Sequence, residues 1–161
     1  MKTINNELIR SFSPCYDPAK KNIPEDETLT VIDWVNKYRE TVPAKDIIWL
    51  LCRNEFLSDK DLRLFAVWCA REALTLVNNP DGRSIEACSV AERYANGEAT
   101  DEELRTARDA ADAAAAHAAA YAAYVAAAEA YAAAEDYAAA RAAAREKQLD
   151  QLLTYFTDET V

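Results

Sequence analysis

Turn-forming residues are scarce in this chain of 161 residues. It contains two glycines and five prolines, and none of them lies beyond Gly97. A β-sheet protein needs turn residues at intervals of roughly 8–12 residues, so this composition excludes an all-β fold. It also excludes a collagen-like repeat, which has glycine at every third position. The sequence therefore predicts an all-α fold.

Long apolar runs are missing as well. No stretch approaches the roughly 18–20 apolar residues that cross a bilayer. Residues 1–7 also lack the apolar run of a secretory signal. We therefore expect a cytoplasmic protein that makes no contact with a membrane.

Residues that carry chemistry are few. The chain has one histidine, His117, and no nucleophile motif or glycine-rich phosphate loop. The four cysteines include no CxxC pair and three lie in apolar helical patterns, so we expect free structural thiols. The acidic pairs Asp109/Asp112 and Glu135/Asp136 lack the Glu-x-x-His motif of di-iron bundles. These observations predict no catalytic residue, no metal and no cofactor.

Acidic side chains outnumber basic ones by 28 to 18, which gives a net charge of −10. Nucleic-acid binding needs clustered Lys and Arg, so we expect no nucleic-acid partner. An acidic protein suits a basic partner protein, or its charge serves solubility alone. The carboxylates are interspersed with Lys and Arg, so a solvated helical surface explains them more simply than mimicry of DNA does.

Composition divides the chain into three segments within one structural domain. Residues 1–27 contain three prolines that interrupt helices, and they are predicted to form an irregular N-terminal arm. Residues 28–97 are predicted to form a four-helix core. Residues 98–161 form an alanine-rich helical segment, so the expected architecture is a helical bundle with long C-terminal helices.

Apolar residues at helical spacing predict the first two core helices. Thr28 is placed as the N-cap of a helix that runs to about Arg39. Pro43 starts the second helix, because proline is tolerated in a first turn. This second helix is apolar nearly all round, so it is expected to be central. Trp49 is then expected in the core.

Capping signals predict the next two helices. Ser58 followed by Asp61 resembles a capping box, and a fourth helix is expected from about Ser84 to a C′ glycine at Gly97. The inner face of the third helix is predicted to consist of Leu62, Phe65, Ala66, Cys69, Ala73 and Leu76. The inner face of the fourth is predicted to contain Ile85, Cys88, Ala91 and Tyr94.

Alanine dominates the C-terminal segment. Thr100 and Glu103 form a second capping-box signal, and 25 of the 38 residues from 107 to 144 are alanine, the strongest helix former. One straight helix over residues 101–156 would be about 84 Å long. A domain of this size has a radius of gyration of only about 15 Å. The segment must therefore turn, project or be covered by another subunit, and we place a turn near Glu135–Asp136.

Large rings share one face of the alanine segment. On a helical wheel, His117, Tyr121, Tyr124 and Tyr131 fall within about 120° of one another, together with Val125. Rings against a background of methyl groups favour a binding site for a partner or a second copy of the chain. The alternative is that the same stripe packs on the core helices. We predict a homo-oligomer or a tight hetero-complex with these rings at the contact.

Two blocks of sequence resemble known proteins. The segment LRLFAVWCAREAL at residues 62–74 resembles a block in a family of immunity proteins from bacterial polymorphic toxin loci. RSIEA at 83–87 and ERYANGEAT at 92–100 resemble the next block of that family. The resemblance covers about residues 45–150. It implies an all-helical protein that binds a partner such as a toxin, and it supplies no catalytic residue.

A second resemblance points to viruses of bacteria. The segment RSFSPCYDP at residues 10–18 and the repeated Tyr-Ala-Ala-Ala units resemble alanine-rich proteins of bacteriophages and prophages. That resemblance implies a counter-defence protein, which captures a host defence protein or a small nucleotide signal. A nucleotide ligand would need cations near the rings, where the sequence offers Arg108 and Arg141.

Taken together, the residues and resemblances predict a small cytoplasmic binding protein, inside a bacterium or a phage-infected host. Its expected action is stoichiometric neutralisation of a protein partner, in the manner of an immunity or inhibitor protein. The alternative is the phage counter-defence role. A structural or assembly role through the alanine-rich face is the third interpretation.

Overall fold

The structure, a computed structural model, describes residues 2–113 and 134–157, and it is mostly helical. The elements in chain order are β1 (Thr3–Ile4), α1 (Asn6–Ser11), a 3-10 helix (Pro18–Lys21), β2 (Leu29–Thr30), α2 (Val31–Tyr38), α3 (Ala44–Leu51), α4 (Asp59–Thr75), α5 (Gly82–Ala95), α6, which is described over residues 101–113, and α7 (Ala134–Thr157). The predicted all-α class is confirmed. The one sheet of the described residues is the antiparallel pair of β1 and β2.

Contacts between residues group the chain into two compact units. Unit 1 contains residues 1–57 and 142–161, and unit 2 contains residues 58–141. These units follow contacts, whereas the division at residues 27 and 97 follows composition. The composition-based division stays a prediction.

The N-terminal arm of unit 1 combines short elements with irregular connections. Asn5 caps α1 by accepting a hydrogen bond from the Leu8 amide at 2.8 Å. The side chains of Ile4, Ile9 and Ile23 are all buried. The arm therefore supplies apolar side chains to the core of unit 1.

Helix α2 begins later than the sequence predicts. Thr30, rather than Thr28, is its N-cap and accepts from the Asp33 amide at 3.2 Å. The reason is the sheet: Leu29 and Thr30 pair with Ile4 and Thr3, so the chain is extended until Thr30. The prediction of Thr28 as the cap is wrong.

The core of unit 1 joins the two ends of the chain. Fully buried side chains of α2, α3 and α7 form most of it; they include Trp34, Val35, Ile47, Leu50, Leu51, Leu149 and Leu152. Arg39, directly after α2, pairs with Glu146 and Asp150 of α7 at 3.1 and 3.0 Å. Burial and charge thus both hold the C-terminal helix within unit 1.

Trp49 does not belong to this core. Helix α3 does start after Pro43, as predicted, and buries Ile47, Leu50 and Leu51. Trp49 is on another face and is 37% exposed. The prediction that Trp49 is buried is wrong, because apolar character around a helix does not show which face its neighbours cover.

Local chemistry fixes the helix ends of unit 2. Ser58 caps α4 and accepts from the Asp61 amide at 3.1 Å. Thr100 and Glu103 make a reciprocal capping box, in which each side chain accepts from the other residue's amide, at 2.8 and 3.2 Å. Gly97 has a positive φ of 78° and ends α5. These predictions are confirmed.

The predicted inner faces of α4 and α5 are only partly right. Phe65 and Cys88 are buried as expected, but Ala66 and Ala73 are exposed. Leu76 and Ile85 are exposed as well, at 85% and 48%. The two helices pack mainly on each other, so a narrow strip is covered rather than a broad face.

Two helix starts also differ from prediction. Helix α5 begins at Gly82 instead of Ser84, because Asp81 caps it by accepting from the Arg83 amide at 2.8 Å. Glu135 and Asp136 lie inside α7, with Ala134 already helical. The prediction of Asp136 as a helix cap is therefore wrong. The residues directly before Ala134 lie outside the described residues, so a turn near this position stays a prediction.

Candidate binding surfaces

The site predicted from the sequence lies outside the described residues. His117, Tyr121, Tyr124 and Tyr131 all fall within residues 114–133. Their role in binding and in association between copies of the chain stays a prediction. The described residues supply two other surfaces.

The first surface lies where α4 ends and α5 begins, and we call it the hairpin end. It consists of Leu76, Val77 and Ile85, which are exposed by 85%, 52% and 48%. Together with Trp49, these are the exposed large apolar side chains among the described residues. Large apolar groups gathered at one end of a helical pair mark an interaction surface more often than scattered ones do.

Capping interactions hold the backbone of the hairpin end. The Leu76 amide donates to the Ala73 carbonyl at 3.1 Å and so closes α4. Asn79 adopts a left-handed conformation, with φ 59°, in the connection. Asp81 then caps α5 and pairs with the Arg83 guanidinium at 2.8 Å. The exposed apolar side chains are therefore carried on a defined turn rather than on a long loop.

The Asp81–Arg83 pair also fixes charge at this end. Hydrogen bonds from the Arg83 side chain and amide lower the pKa of Asp81 to about 2. Asp81 is consequently ionised at neutral pH, and Glu86 lies exposed in the next turn of α5. The carboxylates of Asp81 and Glu86 thus flank the apolar side chains of the hairpin end, and the Arg83 guanidinium offsets the charge of Asp81.

Polar contacts join α4 to α5 further along the pair. Arg71 binds Glu92 at 2.6 Å. The Arg63 guanidinium lies 4.6 Å from the centre of the Tyr94 ring, and the Tyr94 hydroxyl donates to Asp101 at 2.6 Å. The hydrogen bond to Asp101 raises the pKa of Tyr94. These contacts keep the two helices in register and leave the hairpin end open.

Negative charge is concentrated in unit 2. Residues 58–141 carry eight basic and fifteen acidic side chains, a net charge of −7. Unit 1 carries ten basic and thirteen acidic side chains, a net charge of −3. The hairpin end is therefore an apolar patch within the more acidic unit.

The second surface is in unit 1, and we call it the aromatic–arginine cluster. It contains Phe12, Trp49 and Arg53. The Arg53 guanidinium carbon lies 4.4 Å from the centre of the Phe12 ring and 4.3 Å from the centre of the Trp49 ring. Phe12 also makes an edge contact with Phe56, with ring centres 6.2 Å apart. Arginine and tryptophan are the residues most enriched in binding hot spots.

A shallow hollow of about 510 Å³ opens beside the N-terminal arm. Its lining includes Arg10, Cys15, Tyr16 and Lys20. Arg10, the strongest cation there, is already bound by Glu25 and by Asp17. Burial raises the pKa of Tyr16.

The cysteines and the acidic side chains were the candidates for metal and thiol chemistry. Residues 2–113 and 134–157 contain no group of three or more His, Cys, Asp and Glu side chains that could hold a metal ion. No disulfide joins the four cysteines, all of which lie in the described residues, and burial raises the pKa of Cys88. No helix within those residues has both the length and the apolar character to cross a membrane.

Sequence reasoning missed both surfaces. Leu76 and Val77 directly precede the loop residues Asn78-Asn79-Pro80. Their position at the edge of a loop is the signal from which their exposure could have been predicted. Arg53 has no comparable signal, because Phe12 is 41 positions away in the chain. Only the fold brings that ring to the guanidinium group.

Comparisons of the whole chain with models of known protein families, with curated proteins and with solved structures found no match. The two surfaces are therefore interpreted from their own geometry and charge.

Proposed function

We propose that this protein acts by binding a basic protein through the hairpin end of unit 2, without catalysing a reaction. The observation that carries this proposal is the exposure of Leu76, Val77 and Ile85 at one end of a helical pair in a unit with a net charge of −7. Burying such side chains against a partner removes apolar surface from water, which stabilises the complex by about 25 cal/mol per Å². A partner is the simplest source of that burial.

Charge selects the kind of partner. Interfaces between proteins commonly have an apolar centre and a polar rim. At the hairpin end the centre is Leu76 and Ile85, and the flanking carboxylates are Asp81, whose charge Arg83 offsets, and Glu86, in a unit with a net charge of −7. A partner with an apolar pocket bordered by Lys and Arg fits this arrangement. Complementary charge also speeds association at low salt.

The resemblance to immunity proteins supports a more specific version. In that version the protein neutralises a toxin in the cytoplasm of a bacterium by stoichiometric binding. The phage counter-defence role is the alternative, with a host defence protein as the partner. Both versions use a protein partner and therefore the same test. Capture of a small nucleotide is less well supported, because phosphate groups would be repelled by the acidic unit 2.

The experiment is affinity capture from cells of the native host, followed by calorimetry with the purified partner. We compare the wild-type protein with a Leu76→Ser, Ile85→Ser double variant and with Ala66→Ser as the matched control. Ala66 is also an exposed apolar residue of unit 2, but it lies ten residues before Leu76, away from the hairpin end.

The proposal predicts one partner bound in a one-to-one ratio. Affinity should fall by about 10–100-fold in the double variant, as for loss of hot-spot side chains. It should stay within about threefold of wild type in Ala66→Ser and should weaken as salt rises. Equal affinity of the double variant and wild type would contradict the proposed surface. An acidic partner with salt-independent binding would contradict the proposed chemistry.

A further inference from the structure

The Arg53 guanidinium lies against two aromatic rings and has no carboxylate within 4 Å among residues 2–113 and 134–157. Six other arginines of the described residues have a carboxylate within 3.8 Å. These are Arg10, Arg39, Arg71, Arg83, Arg93 and Arg108. Arg63 also lies over a ring, that of Tyr94. Arg53 differs from Arg63 in contacting two rings and in its buried Nε atom, which has no hydrogen-bond acceptor among the described residues.

The Arg53 side chain also has an unused hydrogen-bond donor. Its Nε atom is buried and has no hydrogen-bond acceptor in the structure. A buried donor of a charged group without an acceptor is unfavourable. Arg53 as a whole is only half-buried, and the neighbouring Trp49 is 37% exposed. A ligand can therefore approach part of the Arg53 side chain from solvent.

The backbone fixes where Arg53 sits. Its amide donates to the Leu51 carbonyl at 2.8 Å, directly after α3 ends. Its carbonyl accepts from the amides of Phe56 and Leu57 at 3.0 and 2.9 Å. This turn and the two rings restrict the guanidinium before any ligand arrives, which lowers the entropy lost on binding.

A second cation lies on the same turn. The Lys2 Nζ atom donates to the Phe56 carbonyl at 2.5 Å. Among the described residues, no carboxylate pairs with Lys2 either. Arg53 and Lys2 therefore place two positive charges around the turn at residues 53–57, and the exposed carboxylate of Glu55 lies on the same turn.

We propose that Arg53, flanked by Phe12 and Trp49 and assisted by the charge of Lys2, is a receptor for a carboxylate group. The planar guanidinium donates two parallel hydrogen bonds to the two oxygens of a carboxylate. The rings of Trp49 and Phe12 lie against the guanidinium and restrict its orientation. This inference concerns unit 1 and is independent of the proposed function of unit 2.

A carboxylate fits better than a phosphate for a reason of charge. The site offers one guanidinium and one ammonium group, in a unit with a net charge of −3. A phosphate dianion would be repelled more strongly than a monovalent carboxylate by that surrounding charge. The carboxylate has two possible sources, a small organic acid or an acidic side chain of a protein.

The experiment uses nuclear magnetic resonance of the full-length protein labelled with nitrogen-15. The reporters are the Nε–H signal of Arg53 and the indole N–H signal of Trp49, assigned with Arg53→Lys and Trp49→Phe. The probes are sodium acetate, a Gly-Ser peptide with one Glu, and the matched peptide with Gln, all at constant ionic strength. Sodium chloride and sodium phosphate are the comparison anions, and Arg105→Lys is the control variant because Arg105 is exposed.

The proposal predicts saturable shifts of both reporters with acetate or the Glu peptide, at midpoints of about 1–50 mM for one charge-assisted contact. A response to acetate would indicate that a small organic acid is sufficient for binding. A response to the Glu peptide alone would indicate that the ligand is an acidic side chain of a protein. The Gln peptide should give no shift. Arg53→Lys should abolish the Trp49 response, and Arg105→Lys should preserve it. The proposal is overturned if neither carboxylate probe shifts the signals, if chloride shifts them equally, or if phosphate binds more tightly.

Discussion

Unit 1 and unit 2 differ most in how much apolar surface they bury. Of the twenty buried apolar side chains among the described residues, sixteen belong to unit 1 and four to unit 2. The four are Phe65, Val67, Cys88 and Val90. Unit 1 uses segments from both ends of the chain to make its core, whereas α4 and α5 cover only a strip of each other. The contrast indicates that unit 1 provides most of the stability of the described part and unit 2 provides surface.

The same contrast appears in charge and in polar contacts. Unit 2 has a net charge of −7 against −3 for unit 1. Its ion pairs, such as Arg71 with Glu92, are about half exposed, and exposed pairs contribute only about 0–1 kcal/mol each. Capping interactions and helix propensity therefore contribute much of the stability of α4 and α5. The exposed apolar side chains of unit 2 therefore leave more surface to bury against a partner than the closed core of unit 1 does.

The largest expected effect is in the core of unit 1. Phe56 is 2% exposed, so Phe56→Ala should lower the free energy of unfolding by about 3–5 kcal/mol. Leu76→Ala, at an 85% exposed position of unit 2, should change it by less than about 0.5 kcal/mol. Urea unfolding followed by circular dichroism measures both. Equal losses at the two positions would break the comparison between the units.

Buried and exposed aromatic residues should differ in the same way. Phe65→Ala in unit 2 should cost about 3 kcal/mol, because its ring is 6% exposed. Trp49→Ala should cost about 1 kcal/mol, mainly through the lost contact with Arg53. If Trp49→Ala costs as much as Phe65→Ala in urea unfolding, the assignment of Trp49 to the surface fails.

The C-terminal helix offers a test of how unit 1 is closed. Leu152 is fully buried, so Leu152→Ala should cost about 2–5 kcal/mol. Arg39→Ala removes the pairs with Glu146 and Asp150, whose side chains are half exposed or more. That change should cost about 1 kcal/mol or less. A larger loss for Arg39→Ala than for Leu152→Ala, by thermal or urea unfolding, would show that charge rather than burial holds α7.

Association is the expected role of the alanine-rich segment. Replacing both Tyr124 and Tyr131 with Ala should weaken any self-association or partner binding while keeping helicity, since alanine is the better helix former. Analytical ultracentrifugation and far-ultraviolet circular dichroism measure the two properties. Loss of thermal stability with an unchanged assembly state would indicate that these rings are internal.

The smallest expected effect concerns acid stability in unit 1. Hydrogen bonds from Lys37 and Tyr38 hold the pKa of Glu27 below its ordinary value of 4.5. A lowered folded-state pKa means that Glu27 stabilises the fold above about pH 4.5 and loses this effect as the pH falls through the folded value. Glu27→Gln should therefore reduce the dependence of the melting temperature on pH in the acid range. If the melting temperature of the variant falls as steeply with decreasing pH as that of the wild type, Glu27 does not have this role.

Short-range chemistry explains which features the sequence predicts well. Ser58 and Asp61, Thr100 and Glu103, and Gly97 act on backbone groups within a few residues, so their roles follow from the local pattern. The predicted cap Thr28 lies two residues before the observed cap Thr30, because pairing with β1 keeps Leu29 and Thr30 extended. The residues around Thr28 give no local indication that a distant strand pairs with them.

Long-range packing explains the rest. Trp49, Leu76 and Ile85 sit in apolar helical patterns but are exposed, because the neighbouring elements cover other faces. Leu149 and Leu152 are buried in unit 1, whose other segment is residues 1–57. Helical periodicity gives the apolar face of a segment, and it does not identify the element that covers that face.

Hydrogen–deuterium exchange of the protein, alone and with the captured partner, tests the central claim most directly. The amides of α2 and α3 should exchange slowly in both samples, because these helices carry the core of unit 1. Binding should slow exchange around residues 74–89, at the hairpin end of unit 2, and leave residues 44–51 unchanged. Protection confined to unit 1, with residues 74–89 unaffected, would contradict the assignment of stability to unit 1 and recognition to unit 2.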